Sequence, residues 1–436
     1  MTGRRKDVIY ELPLKQFTNH CPWSIRTVGQ LADVLGGGTP DTDVVEYWDP
    51  PEIPWATPTD ITGTPGNDIW TTERSISNAG LKQSTLVPEN SVLMTSRATI
   101  GAAKINRVPM AINQGFAALC AKEGHSFEYL FYLLDILRPT LIRLGAGTTF
   151  LETSRREIRK VLVRAPEGEE QRRIAAALKT MDAAIQAAQE ELAATRELKR
   201  SLLNSLFVLG IPGRHHNFQE TKIGSIPQGW SVRTIRSVLS EKPDSGTSPL
   251  SRPEPPGTPI LNVSCVKEGV CHPADVTYVD VSANEIERYR TRPGDFFVLR
   301  GNGNRDYVAT GGLLRETPQV DTIYSDKLIR LRFNPDEVVD RFVPYLWQSR
   351  AFLTRLQSKA ESGSGLWMMS KRDICRELFA RPSIEEQREI VELLDSTERL
   401  LTAHVEKVNA LCEMKCSLIQ NLLTGKIRIP EGAIHA

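Results

Sequence analysis

Two stretches of 40 residues, 169–208 and 385–424, combine a helical apolar pattern with an absence of proline and glycine. Apolar residues recur in each at alternating spacings of four and three, the heptad pattern of helices that pack side by side. The seam positions are Ile174, Leu178, Met181, Ile185, Ala188, Leu192, Leu202 and Leu206, then Ile390, Leu394, Thr397, Leu401, His404, Val408, Leu411, Leu418 and Leu422. The pattern predicts two helices, each roughly 60 Å long at 1.5 Å per residue.

The ends of these helices carry start and stop signals. Ser383 followed by Glu386 is the pattern of a capping box, which would begin the second helix. Gly210 and Gly425 follow the two stretches, and a proline lies shortly beyond each glycine. Because a lone helix would expose its apolar stripe, we expect the two helices to pair within the chain as an antiparallel coiled coil. Ordinary bundle helices or pairing with another chain are the alternatives.

The chain contains an internal repeat. Pro166-Glu-Gly-Glu-Glu-Gln-Arg172 returns 216 residues later as Pro382-Ser-Ile-Glu-Glu-Gln-Arg388, and Ser154-Arg-Arg-Glu-Ile158 returns at the same shift as Ser370-Lys-Arg-Asp-Ile374. Trp23-Ser-Ile-Arg-Thr-Val28 returns as Trp230-Ser-Val-Arg-Thr-Ile235, at a shift of 207. Self-similarity at a fixed period indicates a duplicated architecture. The order is A–B–A′–B′, in which B and B′ are the long helices and A and A′ are similar only at their edges.

The A segments have the composition of mainly β domains. Short β-branched and aromatic runs, such as 91–95 and 295–299, alternate with turn signals such as Gly36-Gly-Gly-Thr-Pro40 and Gly301-Asn-Gly-Asn304. Longer apolar patterns predict a few helices, among them 127–137 and 343–359. The fold class expected is therefore α+β, with two mainly-β or mixed domains, two long helices and a pseudo-twofold repeat.

The order of these motifs resembles the specificity subunits of type I restriction–modification systems. In the first half the matching motifs are Trp23, Gly36–Pro40, Asn113-Gln-Gly-Phe116, Gly145-Ala-Gly-Thr-Thr-Phe150 and Pro166…Gln171. In the second half they are Ile226-Pro-Gln-Gly-Trp230, Arg292-Pro-Gly-Asp295, Arg300-Gly-Asn302, Ser362-Gly-Ser-Gly365, Pro382…Gln387 and Leu422-Leu-Thr-Gly-Lys426. The resemblance covers nearly the whole chain, although the first domain begins Cys21-Pro22-Trp23 where the second has the fuller motif.

The resemblance implies a division into seven segments. These are an N-terminal arm (1–22), a first target recognition domain (23–165), a first spacer helix (166–210), a linker (211–229), a second target recognition domain (230–381), a second spacer helix (382–425) and a C-terminal tail (426–436). It also implies that each recognition domain reads one half of a bipartite DNA target. Two methyltransferase subunits would bind the chain, and two restriction/translocase subunits would join them.

Recognition of base edges needs side chains that present paired hydrogen bonds, and phosphate contacts then position the protein. Loop residues that could supply such groups are Thr39, Arg97, Asn113, Gln114, Lys267, Arg300, Asn302, Asn304 and Arg305. For each of them, a solvated or structural loop residue is the alternative. The repeated residues Glu170, Gln171, Glu386 and Gln387 are candidates for docking the partner, and capping of the helices is the alternative for these.

Catalytic motifs are missing from the sequence. There is no Asn/Asp-Pro-Pro-aromatic motif for amino methylation and no phosphate-binding Gly-x-x-x-x-Gly-Lys-Ser/Thr loop. Cys412 and Cys416 lack a second pair that would complete a zinc site. We therefore expect a non-enzymatic subunit without a catalytic, cofactor or metal site, and S-adenosylmethionine, ATP and magnesium would belong to partner subunits.

Composition narrows the class of protein only slightly. The net charge of +1 neither indicates nor excludes a polyanion partner, because basic groups can be concentrated in one groove. Seven scattered cysteines and the lack of a long apolar run predict a cytoplasmic protein without a membrane segment. A coiled-coil scaffold whose β domains bind proteins or glycans remains the alternative function, and an independent endonuclease is a weaker one.

Overall fold

The computed structural model describes residues 9–17, 21–146, 152–316, 320–363 and 365–431. Parts of the predicted arm, of the tail, and of the motifs 145–150 and 362–365 therefore lie outside the described residues. Contacts divide the chain into two units, a first unit of residues 1–190 and 406–436 and a second unit of residues 191–405. Each unit thus contains one sheet-rich domain and one part of each long helix.

The two long helices are present where the heptad pattern predicts them. The first long helix is Gly168–Leu209 and the second is Ile384–Leu422. Seam residues Ile174, Leu178, Ile390 and Leu394 are buried, whereas the seam is half-buried around Ile185 and Leu401. Gly210 (φ 75°) and Gly425 (φ 69°) follow the helices in the left-handed conformation expected of glycine stop signals.

Within each unit, parts of the two helices run antiparallel. In the first unit Lys415 Nζ lies 2.6 Å from Asp182 Oδ1, and in the second unit Lys199 Nζ lies 2.5 Å from Glu398 Oε1. Lys199 and Lys415 are repeat equivalents at a shift of 216, and so are Asp182 and Glu398. The same ion pair is therefore formed once in each unit with the helices exchanged, as an antiparallel pseudo-twofold pair requires.

The first unit contains three antiparallel or mixed sheets. Its strands are β1 Ser24–Thr27, β2 Ala32–Gly36, β3 Ile53–Ala56, β4 Asp68–Ile69, β5 Arg74–Ile76, β6 Thr85–Val87, β7 Ser91–Thr95, β8 Ala103–Asn106, β9 Met110–Ile112, β10 Phe116–Ala121 and β11 Leu162–Ala165. The strand orders are β1-β11, β2-β10-β7-β8-β4 and β5-β3-β9-β6. The helices are Val28–Leu31, Pro58–Gly63, Asn78–Leu81, Phe127–Gly145 and Arg155–Lys160, with 3-10 turns at Leu12–Gln16 and Val45–Tyr47.

The second unit repeats this plan with more and shorter strands. Its strands are β12 Phe218–Thr221, β13 Gly224–Pro227, β14 Ser231–Thr234, β15 Asp244–Ser245, β16 Ser251–Arg252, β17 Thr258–Leu261, β18 Val266–Lys267, β19 Val270–Cys271, β20 Val276–Val279, β21 Phe296–Leu299, β22 Gly301–Asn302, β23 Gly311–Leu314, β24 Ile323–Tyr324, β25 Leu328–Leu331, β26 Glu361–Gly363, β27 Leu366–Met368 and β28 Leu378–Arg381. The strand orders are β12-β13, β14-β28, β15-β25-β21-β23-β19-β18, β16-β20-β17-β24 and β22-β27-β26.

The remaining helices of the second unit are Ala283–Tyr289, Phe342–Gln348, Arg350–Gln357 and Lys371–Arg376, with 3-10 turns at Ile235–Val238, Val263–Cys265 and Arg305–Tyr307. The single helix predicted over 343–359 is thus two helices. Ser349 has an extended ψ of 129°, and its hydroxyl donates to the Leu346 carbonyl at 2.7 Å, which ends the first helix. The helix predicted over 127–137 instead continues through Pro139 to Gly145, because Leu141 and Leu144 extend its buried face.

The main core of each unit joins a sheet-rich domain to the long helices. In the first unit Trp23, Leu133 and Leu178 share one buried cluster with Leu422 from the second long helix. Tyrosines strengthen this attachment: Tyr132 donates to Asp182 at 2.6 Å, and Tyr345 donates to Asp395 at 2.6 Å in the second unit. Burial and the neighbouring aspartate raise the pKa of both tyrosine hydroxyls, so both remain protonated donors.

Candidate nucleic-acid interface and domain junctions

Three candidate DNA-binding residues of the first domain lie together. Gly37 packs so closely on the Ile112 and Asn113 carbonyls that any side chain would collide with this backbone, and Thr39 then contacts Gln114. The Asn113 side chain accepts from the Gly115 N–H at 2.8 Å, which fixes the turn. The glycine run therefore serves close backbone packing, and it brings Thr39 and Gln114 to one exposed edge.

Arg97 lies near the same turn, but its charge is already paired. The Ser96 N–H donates to the Gly115 carbonyl at 2.8 Å, while Arg97 lies 3.0 Å from Glu152. An exposed pair of this kind contributes about 0–1 kcal/mol. Arg97 could therefore exchange Glu152 for a phosphate only at that small cost.

In the second domain four candidates lie on one loop. Asn302 accepts from the Asn304 N–H and Asn304 accepts from the Asp306 N–H, both at 2.9 Å, so both side chains stabilise consecutive turns. The guanidinium of Arg305 lies 4.9 Å from the Trp367 ring centroid. Arg300 joins the loop to the residue that follows strand β27, because its carbonyl accepts from the Met369 N–H at 2.7 Å.

Lys267 is placed apart from this loop, at the end of strand β18. Its ammonium group lies 2.6 Å from Asp275. Base contact by any of these nine candidates stays a prediction, and the three asparagines among them have structural roles in turns.

The repeated Glu-Gln motif forms a junction between the first domain and the first long helix. Glu170 is 5% exposed and accepts from the Trp23 indole N–H at 3.3 Å and from two nitrogens of Arg428 at 2.8 and 2.7 Å. Gln171 is fully buried, donates to the Pro166 carbonyl at 2.9 Å and accepts from the Ser126 N–H at 3.0 Å. Both side chains are thus used inside the first unit.

The second copy forms the same junction. Glu386, 6% exposed, accepts from the Trp230 indole N–H at 2.9 Å and lies 2.6 Å from His215 Nε2. Gln387 is fully buried, donates to the Pro382 carbonyl at 3.2 Å and accepts from the Val339 N–H at 2.9 Å. Of the capping box at Ser383, only the backbone half forms (3.2 Å), because the Glu386 carboxylate is engaged by Trp230 and His215.

These contacts explain why the motif occurs twice. In each copy the glutamate accepts from the tryptophan that begins the domain. The glutamine accepts from a backbone N–H later in the same domain, and it thereby attaches that segment to the start of the long helix. Docking of a partner through Glu170, Gln171, Glu386 or Gln387 stays a prediction, and the burial of all four favours a structural role. The sequence indicated the motif but not its tryptophan partner, which is more than 140 residues away.

One arginine of the first domain was not among the sequence candidates. Arg74 lies over the Trp48 ring, 3.7 Å from its centroid, and 5.4 Å from the Trp55 centroid. Strand pairing explains the placement, because Arg74 on β5 is the direct antiparallel partner of Trp55 on β3. Each indole N–H donates to the glycine-rich loop: Trp55 to the Gly38 carbonyl at 3.2 Å, and Trp48 to the Asp41 carbonyl at 3.0 Å.

Among the described residues, no group of three or more histidine, cysteine, aspartate or glutamate side chains could hold a metal ion. Cys412 and Cys416 are exposed on the second long helix. None of the helices within the described residues has both the length and the apolar composition that a membrane span requires.

Comparisons with known proteins find similarity to type I specificity proteins. Residues 21–195 match the family model of the type I restriction modification DNA specificity domain. The chain is 30% identical over 258 residues to the MjaIX specificity subunit of Methanocaldococcus jannaschii, an alignment that covers 57% of this chain and 59% of that protein. It thus spans little more than half the length of this curated relative.

Solved structures show the same fold at low sequence identity. One, from a study of complex assembly and conformational transition in a type I R-M system, has a TM-score of 0.61 at 16% identity and covers 93% of this chain and 98% of its own. The type I S subunit of M. genitalium has a TM-score of 0.52 at 13% identity and covers 93% and 97%. Residues 21–195 thus match a type I restriction modification DNA specificity domain, and the chain has the same fold as these solved structures.

Proposed function

We propose that this chain is the sequence-specific DNA-binding subunit of a type I restriction–modification complex. Each sheet-rich domain reads one half of a bipartite target, and the bases between the halves are not read. The observation that carries the proposal is the duplicated junction, in which Trp23–Glu170 and Trp230–Glu386 attach two domains to two long helices in the same way. Two attached readers on one chain suit a target with two specified halves.

In this proposal the chain itself is non-catalytic, and the chemistry belongs to its partners. Two methyltransferase subunits bind, since the repeat supplies two equivalent helix surfaces, and two restriction/translocase subunits join for cleavage. S-adenosylmethionine, ATP and magnesium are then held by those partners. The compartment is the cytoplasm, where the DNA substrate lies.

The proposal is tested by mapping DNA methylation in a host that lacks its own methyltransferases. The full chain is co-expressed with the methyltransferase subunit of its system, and the methyltransferase alone is the control. We expect one methylated motif with two specified halves around an unspecified spacer, and a native mass of the complex with two methyltransferase subunits. Methylation that is the same without this chain, or a continuous motif, would contradict the proposal.

Salt dependence provides a second readout on the purified complex. Lys and Arg contacts to phosphates release counterions, so the logarithm of the affinity should fall linearly with the logarithm of the salt concentration. A preference for the mapped target over unrelated duplex DNA should persist across that range. If neither duplex binds at any salt concentration, a scaffold that binds proteins or glycans becomes the better explanation.

A further inference from the structure

Arg74 differs from Arg97 and Arg107, two other arginines of the first domain. Arg97 is paired with Glu152 at 3.0 Å and Arg107 with Asp68 at 3.1 Å. The Arg74 guanidinium has neither an ion pair nor a hydrogen bond within the described part of the chain, and its side chain is exposed. Its hydrogen-bond donors are therefore available to a ligand without breaking an existing contact.

The position of the guanidinium is nevertheless fixed. A cation over an indole face at 3.7 Å is held by the ring quadrupole, and the centroid of the Trp55 ring lies 5.4 Å from the guanidinium. The two indoles contact each other edge to face at 5.2 Å and donate to the carbonyls of Gly38 and Asp41. Arg74 is thus ordered before any ligand arrives, which reduces the entropy lost on binding.

The loop that accepts from the two indoles also carries Thr39, one of the predicted DNA contacts. Thr39 lies between the two loop carbonyls that accept from the indoles, and it contacts Gln114. Thr39 and Gln114 were selected from the sequence as hydrogen-bonding groups for DNA, and the same loop now connects them to Arg74. An ordered, unpaired arginine fork suits paired acceptors, and guanine O6 and N7 are the commonest such target in the major groove.

We propose that Arg74 is a specificity-determining residue of the first domain, which reads a guanine in one half of the DNA target, and that Trp48 positions it. The inference rests on the proposed function, and it names the residue and base class through which that function operates. Arg74 is a point of base readout, so its contribution is confined to one base pair of one half-site.

The test uses the full complex with its methyltransferase and the variants Arg74→Ala and Arg74→Lys. Binding is measured on duplexes that carry the mapped target and each of its single-base-pair substitutions, and methylation is mapped in cells. Arg74→Ala should lower the preference for one G·C pair by about 10- to 100-fold, in line with one bidentate base contact. The other half-site, read by the second domain, is the internal control and should keep its discrimination.

Arg74→Lys separates base readout from charge. Lysine keeps the positive charge but loses the planar fork, so discrimination at that G·C pair should fall while affinity for unrelated duplex stays at the wild-type value. Trp48→Phe keeps an aromatic face and should retain most of the discrimination, whereas Trp48→Leu should lose it. Thermal unfolding shows whether each variant is folded. If Arg74→Ala does not fold, the proposal is tested with Arg74→Lys alone.

Three results would overturn the assignment. Unchanged discrimination in both Arg74 variants would exclude base readout by this residue. An equal loss of affinity for every DNA sequence would make Arg74 a phosphate contact. A loss of base-pair discrimination in the other half-site would exclude a role in reading the half-site of the first domain. A wild-type complex without any sequence preference would overturn the proposed function as well, whereas a wild-type preference that survives both substitutions would overturn this inference alone.

Discussion

The two tryptophan–glutamate junctions allow the same substitution to be compared in two similar environments. Trp23 and Trp230 are 4% and 5% exposed, and each donates its indole N–H to a buried glutamate. Replacement of either by phenylalanine removes the donor and a similar volume. The loss of packing should therefore nearly cancel when Trp23→Phe and Trp230→Phe are compared, and the difference should report the hydrogen bonds.

The hydrogen bonds differ in strength and in what remains after the substitution. In Trp230→Phe, Glu386 loses a 2.9 Å bond and keeps only His215 on its carboxylate, a loss of about 1.5–3 kcal/mol for a bond to a charged group. In Trp23→Phe, Glu170 loses a 3.3 Å bond, beyond the usual N–H···O range, and keeps two bonds from Arg428. We expect about 0.5–1 kcal/mol there, and hence a difference of about 1–2 kcal/mol.

Amide hydrogen exchange measures the two junctions separately. Strand β1 pairs with β11 in the first unit, and β14 pairs with β28 in the second, so peptides from these strands report local opening. Trp230→Phe should raise the opening constant of β14–β28 about 5- to 30-fold more than Trp23→Phe raises that of β1–β11. Each variant is the control for the other, because the distant strand pair should keep wild-type protection.

Equal effects of the two substitutions, or a larger effect of Trp23→Phe, would refute this reasoning. Either result would mean that packing of the indole ring dominates and that the hydrogen bond to glutamate contributes little. A loss of protection spread over both units would instead indicate global unfolding, and in that case the local attribution would be wrong.

Two further predictions concern the same junctions. Gly210→Ala should destabilise the second unit by about 2 kcal/mol or more in urea unfolding, because φ is 75° and the new Cβ would lie 2.8 Å from His215 Nε2 and 3.1 Å from Trp230 Cζ2. The matched control is Gly213→Ala, where φ is 79° and the space is open, and it should cost about 1 kcal/mol. Equal costs of the two substitutions would exclude the steric explanation. Burial, with Arg26 nearby, lowers the pKa of His125, so protonation favours the unfolded chain. The stability of the first unit should therefore fall as the pH drops below about 6.5 and level off below the folded-state pKa. The urea midpoints at about pH 7.5 and about pH 5.5 measure this effect, and a difference between those midpoints that is the same in His125→Gln as in the wild type would contradict it.

The sequence was sufficient for features that depend on local periodicity. The heptad seams predicted both long helices to within one residue at their N-termini, because an uninterrupted apolar stripe and a glycine stop are local signals. The division at Ser349 was missed, because the apolar pattern continues across it and only the ψ of this serine interrupts the helix. Pro139 had the opposite effect: a local break signal was overridden by the burial of Leu141 and Leu144.

For the candidate site, the sequence predicted proximity only where a motif fixes the loop. A glycine run and an Asn-Gln-Gly turn are visible in the sequence, and the packing of Gly37 on the Ile112 and Asn113 carbonyls brings Thr39 and Gln114 together, while their contact with DNA stays a prediction. Arg74 was not found, because its importance depends on the register of β5 against β3 and on Trp48. Neither the register nor the absence of an acidic partner can be read from neighbouring residues.

The repeat itself shows where specificity can reside. The residues that recur at fixed shifts, such as Trp23 and Trp230 or Gln171 and Gln387, are buried and occupied by contacts within their own unit. A buried, fully engaged side chain cannot distinguish one DNA sequence from another. The repeated motifs therefore report the scaffold, and in the proposed function recognition depends on exposed residues outside the repeat pattern. Because such residues are free to differ between the two domains, one scaffold can present two different half-site readers, and Arg74 is the first that we assign.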